Sequence, residues 1–531
     1  MILRFHCFNR WLTGVLAPTF LAASLFPSSA LDLSNATIAD LQEALRGGKL
    51  TSERLVELYL ARIEAYDQRG PKLNTVITLK DRSTALAEAR ALDAERKTGK
   101  VRSPIHGIVV LAKDVFDTTD MPTTGGFKPM ATSQPIRDSF VIGRLRDAGA
   151  IILAKLNQSD WYGVADQGAS TLKGQVLSPY NARKVTGFSS SGTGASMAAW
   201  FGTVGLGSDT GGSITIPSAH SGIVGLAATH GLVSRTGMMW SSPRQENGGP
   251  MARHVYDCAA VLDVIAGYDA ADLATEASMG RLPDRPYTSF VDKNGLKGAR
   301  LGVLRQMVRE GALHAEGRAL FEEAVAAARK AGAILVDPVA VEFDIIQAQL
   351  DASASGFERA TAIDKYLAGL PPTAPIRSVE EMIAKGGSLV KPNIVETSKL
   401  KNLERHAPLI AAYRQQDILR TALVELMDKY KLDALFLPFR TAVIQEIGSE
   451  SGPGAGITRE ARNSLSSYTG LPTLIVPGGF FPGDGMPFGV QFLGRPFTEP
   501  VLIKVASGFE ASTGHRKPPQ STPPLAGETI P

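Results

Sequence analysis

Two short loops in this 531-residue chain combine glycine with hydroxyl side chains. The first runs Gly187-Phe188-Ser189-Ser190-Ser191-Gly192-Thr193-Gly194. The second runs Gly207-Ser208-Asp209-Thr210-Gly211-Gly212-Ser213. Each can present a serine hydroxyl on a tight turn with no bulky neighbour. Glycine also lets successive backbone N–H groups converge on one point, as an oxyanion hole requires. A flexible linker has a similar composition, but a linker does not alternate with apolar runs such as Ala195 to Phe201 and Val204 to Leu206. A phosphate cradle would need GxxxxGK[ST] or GxGxxG, and neither occurs. The loops therefore read as ordered turns inside a packed core.

The elements around them must hold those turns. His106 to Asp114 is a buried-strand pattern that ends in a charge pair, Lys113-Asp114. A lysine in that position commonly snorkels to the surface. Val141 to Ala148 reads as a helix and Ile151 to Lys155 as the next strand, an alternation that suggests an α/β sheet. Asn35 to Thr98 reads as helical; its first helix opens on a Thr37-x-x-Asp40 capping box and stops at Gly47-Gly48. Residues 31–100 are thus expected to form a helical arm, and 101–515 the main domain. A second helical stretch, about 343–430, carries no comparable loop. Residues 516–531 are rich in proline and are expected to be mobile.

Composition narrows the class. A net charge of +4 on a chain this long gives no footprint for nucleic acid. Residues 1–30 read as a secretory signal: Arg4 and Arg10, an apolar run from Trp11 to Phe26 too short to span a bilayer, then Ser28-Ser29-Ala30. The expected location is secreted or periplasmic, with no membrane attachment after cleavage. Cys7 falls in that segment, so Cys258 has no internal disulfide partner and reads as a small buried residue. His106, His220, His230 and His254 show no metal-ligand spacing, so no metal and no cofactor is expected.

The second loop, together with Lys113-Asp114, Gly231 to Gly237 and Gly249-Pro250-Met251-Ala252-Arg253, resembles the amidase signature family of serine hydrolases over most of residues 37–512. Phe188 and Ser191 depart from the family's glycines, Thr215 stands where many members carry arginine, and Glu246 where many carry aspartate. The resemblance implies an α/β fold: a large mixed, mostly parallel twisted sheet covered by helices on both faces. It also implies roles. Ser213 matches the nucleophile, Ser189 the bridging serine and Lys113 the base, a Ser-Ser-Lys arrangement that works without histidine. Backbone N–H groups of Thr210, Gly211, Gly212 and Ser213 would stabilise the oxyanion, and Ser190 would help hold the loop. Asp209 reads as a structural acceptor. An ordinary lysine titrates near about 10.4, so a lysine base at neutral pH must come down by roughly three pH units, worth about 4 kcal/mol. Asp114 would oppose that if it touched the ammonium, so its carboxylate is expected to point away.

The expected activity is hydrolysis of a carboxylic acid amide through an acyl-enzyme. The layout looks most like secreted peptide amidases. Phe188, Trp161, Tyr162, Met238, Met239 and Trp240 would suit an apolar pocket, although core packing accounts for each equally well. Two other readings are a non-catalytic binding protein on the same fold and a protein like the A subunit of the tRNA-dependent amidotransferase. The expected partner is a small-molecule or peptide amide, and the expected state a monomer or homodimer.

Overall fold

The structure, a computed structural model, describes residues 31–162, 167–449 and 463–530. The expected signal, residues 1–30, lies outside the described residues. Eleven strands form one sheet: β1 (Val76–Leu79), β2 (Val109–Lys113), β3 (Ile151–Leu156), β4 (Val204–Asp209), β5 (Val224–Ala227), β6 (Asn247–Ala252), β7 (Arg300–Leu304), β8 (Ile334–Val339), β9 (Ala434–Pro438), β10 (Thr473–Phe480) and β11 (Pro487–Leu493). Across the sheet they run β8-β7-β9-β11-β10-β5-β6-β4-β2-β3-β1.

Every residue of β2, β3, β4 and β6 is buried, which requires cover on both faces. The near-continuous runs of Val, Ile, Leu and Ala in β2 and β3 are the sequence cause. The mixed sheet and its helical cover match expectation, but the mostly parallel pairing does not. Parallel pairs occur only at β2–β3, β2–β4, β7–β8 and β7–β9. The other six neighbouring pairs are antiparallel. For β10 and β11 the physical reason is connection length: they are joined by a short turn, Phe481 to Met486, too short for a helical crossover.

The N-terminal arm opens as expected, with a reciprocal capping box between Thr37 and Asp40. It is not helical throughout. Its residues Val76–Leu79 form the edge strand β1, paired with β3, so the arm completes the main sheet. The β-branched run Thr75-Val76-Ile77-Thr78 is the cause, a short strand signal between longer helical ones. The C-terminal segment is also corrected. It is packed rather than mobile: Thr529–Ile530 pairs with Leu31–Asp32, and Glu528 is buried against Arg62 at 2.8 Å. Cys258 is buried in the helix Val255–Ile265, as expected of a packing residue, and burial pushes its thiol well up.

The stretch 343–430 is helical as expected, with helices Ile345–Asp351, Ser355–Ala368, Val379–Gly386, Pro392–Ser398 and Ala407–Lys429. It docks on the core through buried polar contacts. Gln245 Oε1 accepts from the N–H groups of Ala354 and Ser355 at 2.7 and 3.0 Å. Ser242 donates to Glu358 at 2.6 Å, and Arg359 to the Trp161 carbonyl at 3.0 Å.

Candidate active site

β2 carries Lys113 at its C-terminal end. Side chains alternate along a strand, so Val109, Leu111 and Lys113 share one face. The neighbouring parallel strand β4 ends in Ser208 and Asp209, and the helix Ser191–Ala198 starts just after Ser189. That helix approaches closely because position 192 has no side chain: a Cβ on Gly192 would lie 2.2 Å from the Asn157 carbonyl oxygen. The result is a dry junction. Lys113 is fully buried, and its Nζ donates to Ser189 Oγ at 2.6 Å and to Ser208 Oγ at 2.8 Å.

The second loop is built around Asp209. Its carboxylate accepts from the N–H groups of Gly212 at 2.6 Å, Ile214 at 2.8 Å and Thr215 at 3.3 Å, and from the Ser467 hydroxyl. These bonds fold the backbone back on itself and place Ser213 on the turn. Gly212 sits at φ +114°, where a Cβ would also press 2.8 Å from Ile216 Cδ1. Asp209 is thus a structural acceptor, as expected. Outside the loop, Thr210 Oγ1 donates to Glu246 Oε2 at 2.5 Å, and the Thr210 and Gly211 carbonyls accept from Gln245 at 2.7 Å and Ser464 at 2.9 Å.

Burial drives the electrostatics. Desolvation brings Lys113 down to about 7, against the opposing pull of the Glu246 and Asp209 carboxyls. Asp114 does not contribute. Its carboxylate turns away from Lys113, takes the Thr124 hydroxyl and backbone N–H, and pairs with Lys155 at 3.1 Å. The buried histidines lie elsewhere. His220, against the Val185 carbonyl, is lowered to about 3, and His230 to about 4, both mainly by burial.

Lys113 and Ser189 are therefore in direct contact. Ser213, 7 % exposed, lies on the adjoining loop, and its hydroxyl is bonded to no described residue. One expectation needs correction. The Gly212 N–H is committed to Asp209, so it is not a free oxyanion donor; the N–H groups of Gly211 and Ser213 have no protein acceptor among the described residues. Ser190 holds the loop, as expected, and does not face an open site. It is fully buried, and its hydroxyl both donates to the Ser208 carbonyl at 3.2 Å and accepts from the Ser208 N–H at 3.3 Å, stitching the first loop to β4. Sequence reading misses Ser208, Gln245 and Ser467. Single serines and glutamines carry no spacing signal, and only the β2–β4 register reveals Ser208.

The aromatic residues divide. Phe188 packs with Ile216, Ala219, Phe439 and Ile475. Trp161 is buried edge-on to Phe127 and Tyr366, and nothing is described of the Tyr162 side chain. Met239 is buried against Gly125. Met238 and Trp240, by contrast, line a pocket of about 330 Å³ with Asp117, Lys365, Tyr366 and Leu370. The described lining of this pocket includes no residue of either loop; Ser241, the next residue after Trp240, lies with its hydroxyl 3.4 Å from Thr210 Oγ1.

Comparison with known proteins agrees with this architecture. The amidase family model matches residues 54–503. A native peptide amidase from Stenotrophomonas maltophilia superposes with a TM-score of 0.81 at 34% identity, covering 92% of this chain and 98% of that one. A probable amidase of Arabidopsis thaliana is 32% identical over 519 residues, 94% of each chain. The A subunit of the glutamyl-tRNA(Gln) amidotransferase of Moorella thermoacetica is 31% identical over 503 residues, 92% of this chain and 99% of that protein. The chain belongs to the amidase family, and it is an enzyme that acts on carbon–nitrogen amide bonds.

Proposed function

We propose that the enzyme hydrolyses its amide through Ser213, Ser189 and Lys113 and an acyl-enzyme intermediate, and that it does so after export, in the periplasm or outside the cell. The observation that carries this reading is the fully buried 2.6 Å contact between Lys113 and Ser189, beside the loop that bears Ser213. A neutral Lys113 amine has two N–H donors and one lone pair. It donates to Ser208 and accepts the Ser189 proton, while Ser189 Oγ takes the proton of Ser213 Oγ. Ser213 then attacks the carbonyl carbon. The N–H groups of Gly211 and Ser213 receive the oxyanion. Ser189 returns a proton to the leaving nitrogen, the C–N bond breaks, and water releases the acid from Ser213 by the same relay in reverse.

The substrate read best by the site is a C-terminal amide of a peptide. The likeness to a peptide amidase along nearly the whole chain supports this. The likeness to an amidotransferase component supports a second reading, in which the chain supplies ammonia within a complex.

The test has two parts. A fluorophosphonate probe should label wild type and not Ser213→Ala, and Lys113→Ala should lose activity at neutral pH by several orders of magnitude while keeping its fold. Turnover of peptide amides, anilides and fatty amides by the isolated chain then separates the readings. A Lys113→Ala variant near wild-type activity sinks the lysine base. Release of ammonia from free glutamine in preference to every other amide favours the second reading.

A further inference from the structure

We infer that Glu246 is a positioning residue for this reaction: its buried carboxyl anchors Thr210 in the loop leading to Ser213, and its charge opposes the effect of burial on how readily Lys113 yields its proton. The inference rests on the reading of Lys113 as the base.

The sheet register places Glu246. β4 and β6 are antiparallel, with Asp209 opposite Asn247, so the residue preceding β6 lies across from Thr210. Glu246 is fully buried there. Its Oε2 accepts from Thr210 Oγ1 at 2.5 Å and from the Ser241 N–H at 3.2 Å. Its Oε1 is buried with no hydrogen-bond partner among the described residues. A buried carboxyl oxygen left without a donor is unfavourable for the ionised form. No arginine or lysine among the described residues forms an ion pair with it.

The charged groups that face Glu246 are Lys113 from β2 and Asp209 from β4. Asp209 is already held by three backbone N–H groups and Ser467. Glu246 is therefore the carboxyl whose charge answers to Lys113. Burial raises its pKa as it lowers that of the lysine, and a charge on either favours a charge on the other. An ionised Glu246 holds the ammonium; a neutral Glu246 releases it. Aspartate, one methylene shorter, would keep the charge but withdraw it from Thr210. The carboxyl thus couples the protonation of the base to the hold on the oxyanion loop.

The experiment is the pH profile of kcat/KM on a chromogenic amide that the wild-type chain hydrolyses, run on Glu246→Gln, Glu246→Asp and Lys113→Ala. Glutamine keeps an acceptor for Thr210 and removes the charge, so the acid limb should move to lower pH by roughly one pH unit. Aspartate should leave the limb near its wild-type position and lower kcat. An unmoved limb in a folded Glu246→Gln, with Lys113→Ala inactive, overturns this inference alone. A limb that moves as far in Glu246→Asp as in Glu246→Gln also overturns it, and this comparison stands on Glu246→Asp against wild type if the glutamine variant does not fold. An active Lys113→Ala overturns the lysine base and this inference together.

Discussion

Ser208 is the second acceptor of the Lys113 amine, 2.8 Å from Nζ and fully buried. It lies at the end of β4, and its hydroxyl bonds the proposed base, not the proposed nucleophile. Its effect is to aim the amine: with one N–H held by Ser208, the lone pair turns toward Ser189. Removing one hydrogen bond of this kind costs about 1 to 1.5 kcal/mol, so Ser208→Ala should lower kcat by about tenfold with KM little changed. Wild-type kcat in that variant would show that Ser189 alone orients the amine. The pH dependence belongs to the same scale. Burial brings Lys113 down to about 7, and the proposed base acts in its neutral form, so kcat/KM should rise as pH increases through about 7 and level off above it. Lys113, Ser189 and Ser213, the residues of the proposed relay, stand in spaced motifs that are legible in the sequence, and the structure brings the first two into contact. Ser208 is not, because a serine in an apolar strand looks like any other. Glu246 is visible only as a substitution for aspartate. Which N–H groups of the second loop stay unbonded is not legible either: Gly212 looks as suitable as Gly211 until Asp209 is seen to take its N–H.

At the scale of elements, the helical stretch 343–430 meets the core at Asp117, whose carboxylate accepts from the Tyr366 hydroxyl at 2.7 Å. Asp117 is 8 % exposed, and burial pushes it up to about 7. The sign follows from proton uptake. Between the ordinary carboxyl range, near about 3.9, and about 7, the folded state holds a proton that the unfolded state has lost. Stability therefore falls as pH rises through that window and is flat above it. The full effect is bounded at about 4 kcal/mol. Asp117→Asn keeps an acceptor for Tyr366 and cannot titrate. Compared with wild type, its Tm should gain with rising pH between about 4.5 and 7, where wild type loses the bound proton. Parallel Tm curves for the two proteins across that range would refute the assignment. Patterning reveals that this stretch is helical, since its apolar residues recur at helical spacing. It does not reveal where the helices dock, because Gln245, Glu358 and Tyr366 are polar residues that sequence reading sends to the surface. The edge strand β1 is hidden for a different reason: four residues between two long helical patterns are too few to alter the dominant period.

At the scale of the molecule, both ends of the described chain close on one buried ion pair. Arg62, on the helix Ser52–Arg62, is fully buried and stacks 3.7 Å from the centre of the Trp200 ring. Its guanidinium donates to Glu528 at 2.8 Å and to the Thr522 carbonyl at 2.9 Å. Arg62 belongs to the apolar stripe of its helix, and the proline-rich segment shows no apolar run, so neither sequence reveals the other. The pair ties the N-terminal arm, the helix leading to β4 and the C-terminal segment into one unit. Removing one partner of a buried pair leaves an uncompensated charge and costs about 3 to 5 kcal/mol, whereas replacing both with apolar residues is often close to neutral. For a chain of this length that cost corresponds to a fall of roughly 3 to 5 °C in Tm, from an unfolding entropy of about 2.1 cal/mol/K per residue. Glu528→Leu should show this fall, and Arg62→Met combined with Glu528→Leu should recover most of it. Recovery in the double variant would mean that Glu528 matters as the counter-charge of Arg62. A double variant as unstable as the sum of the two single ones would mean that the segment is held by Thr522, Ile530 and the short strand pairing instead, with the ion pair incidental to the closure.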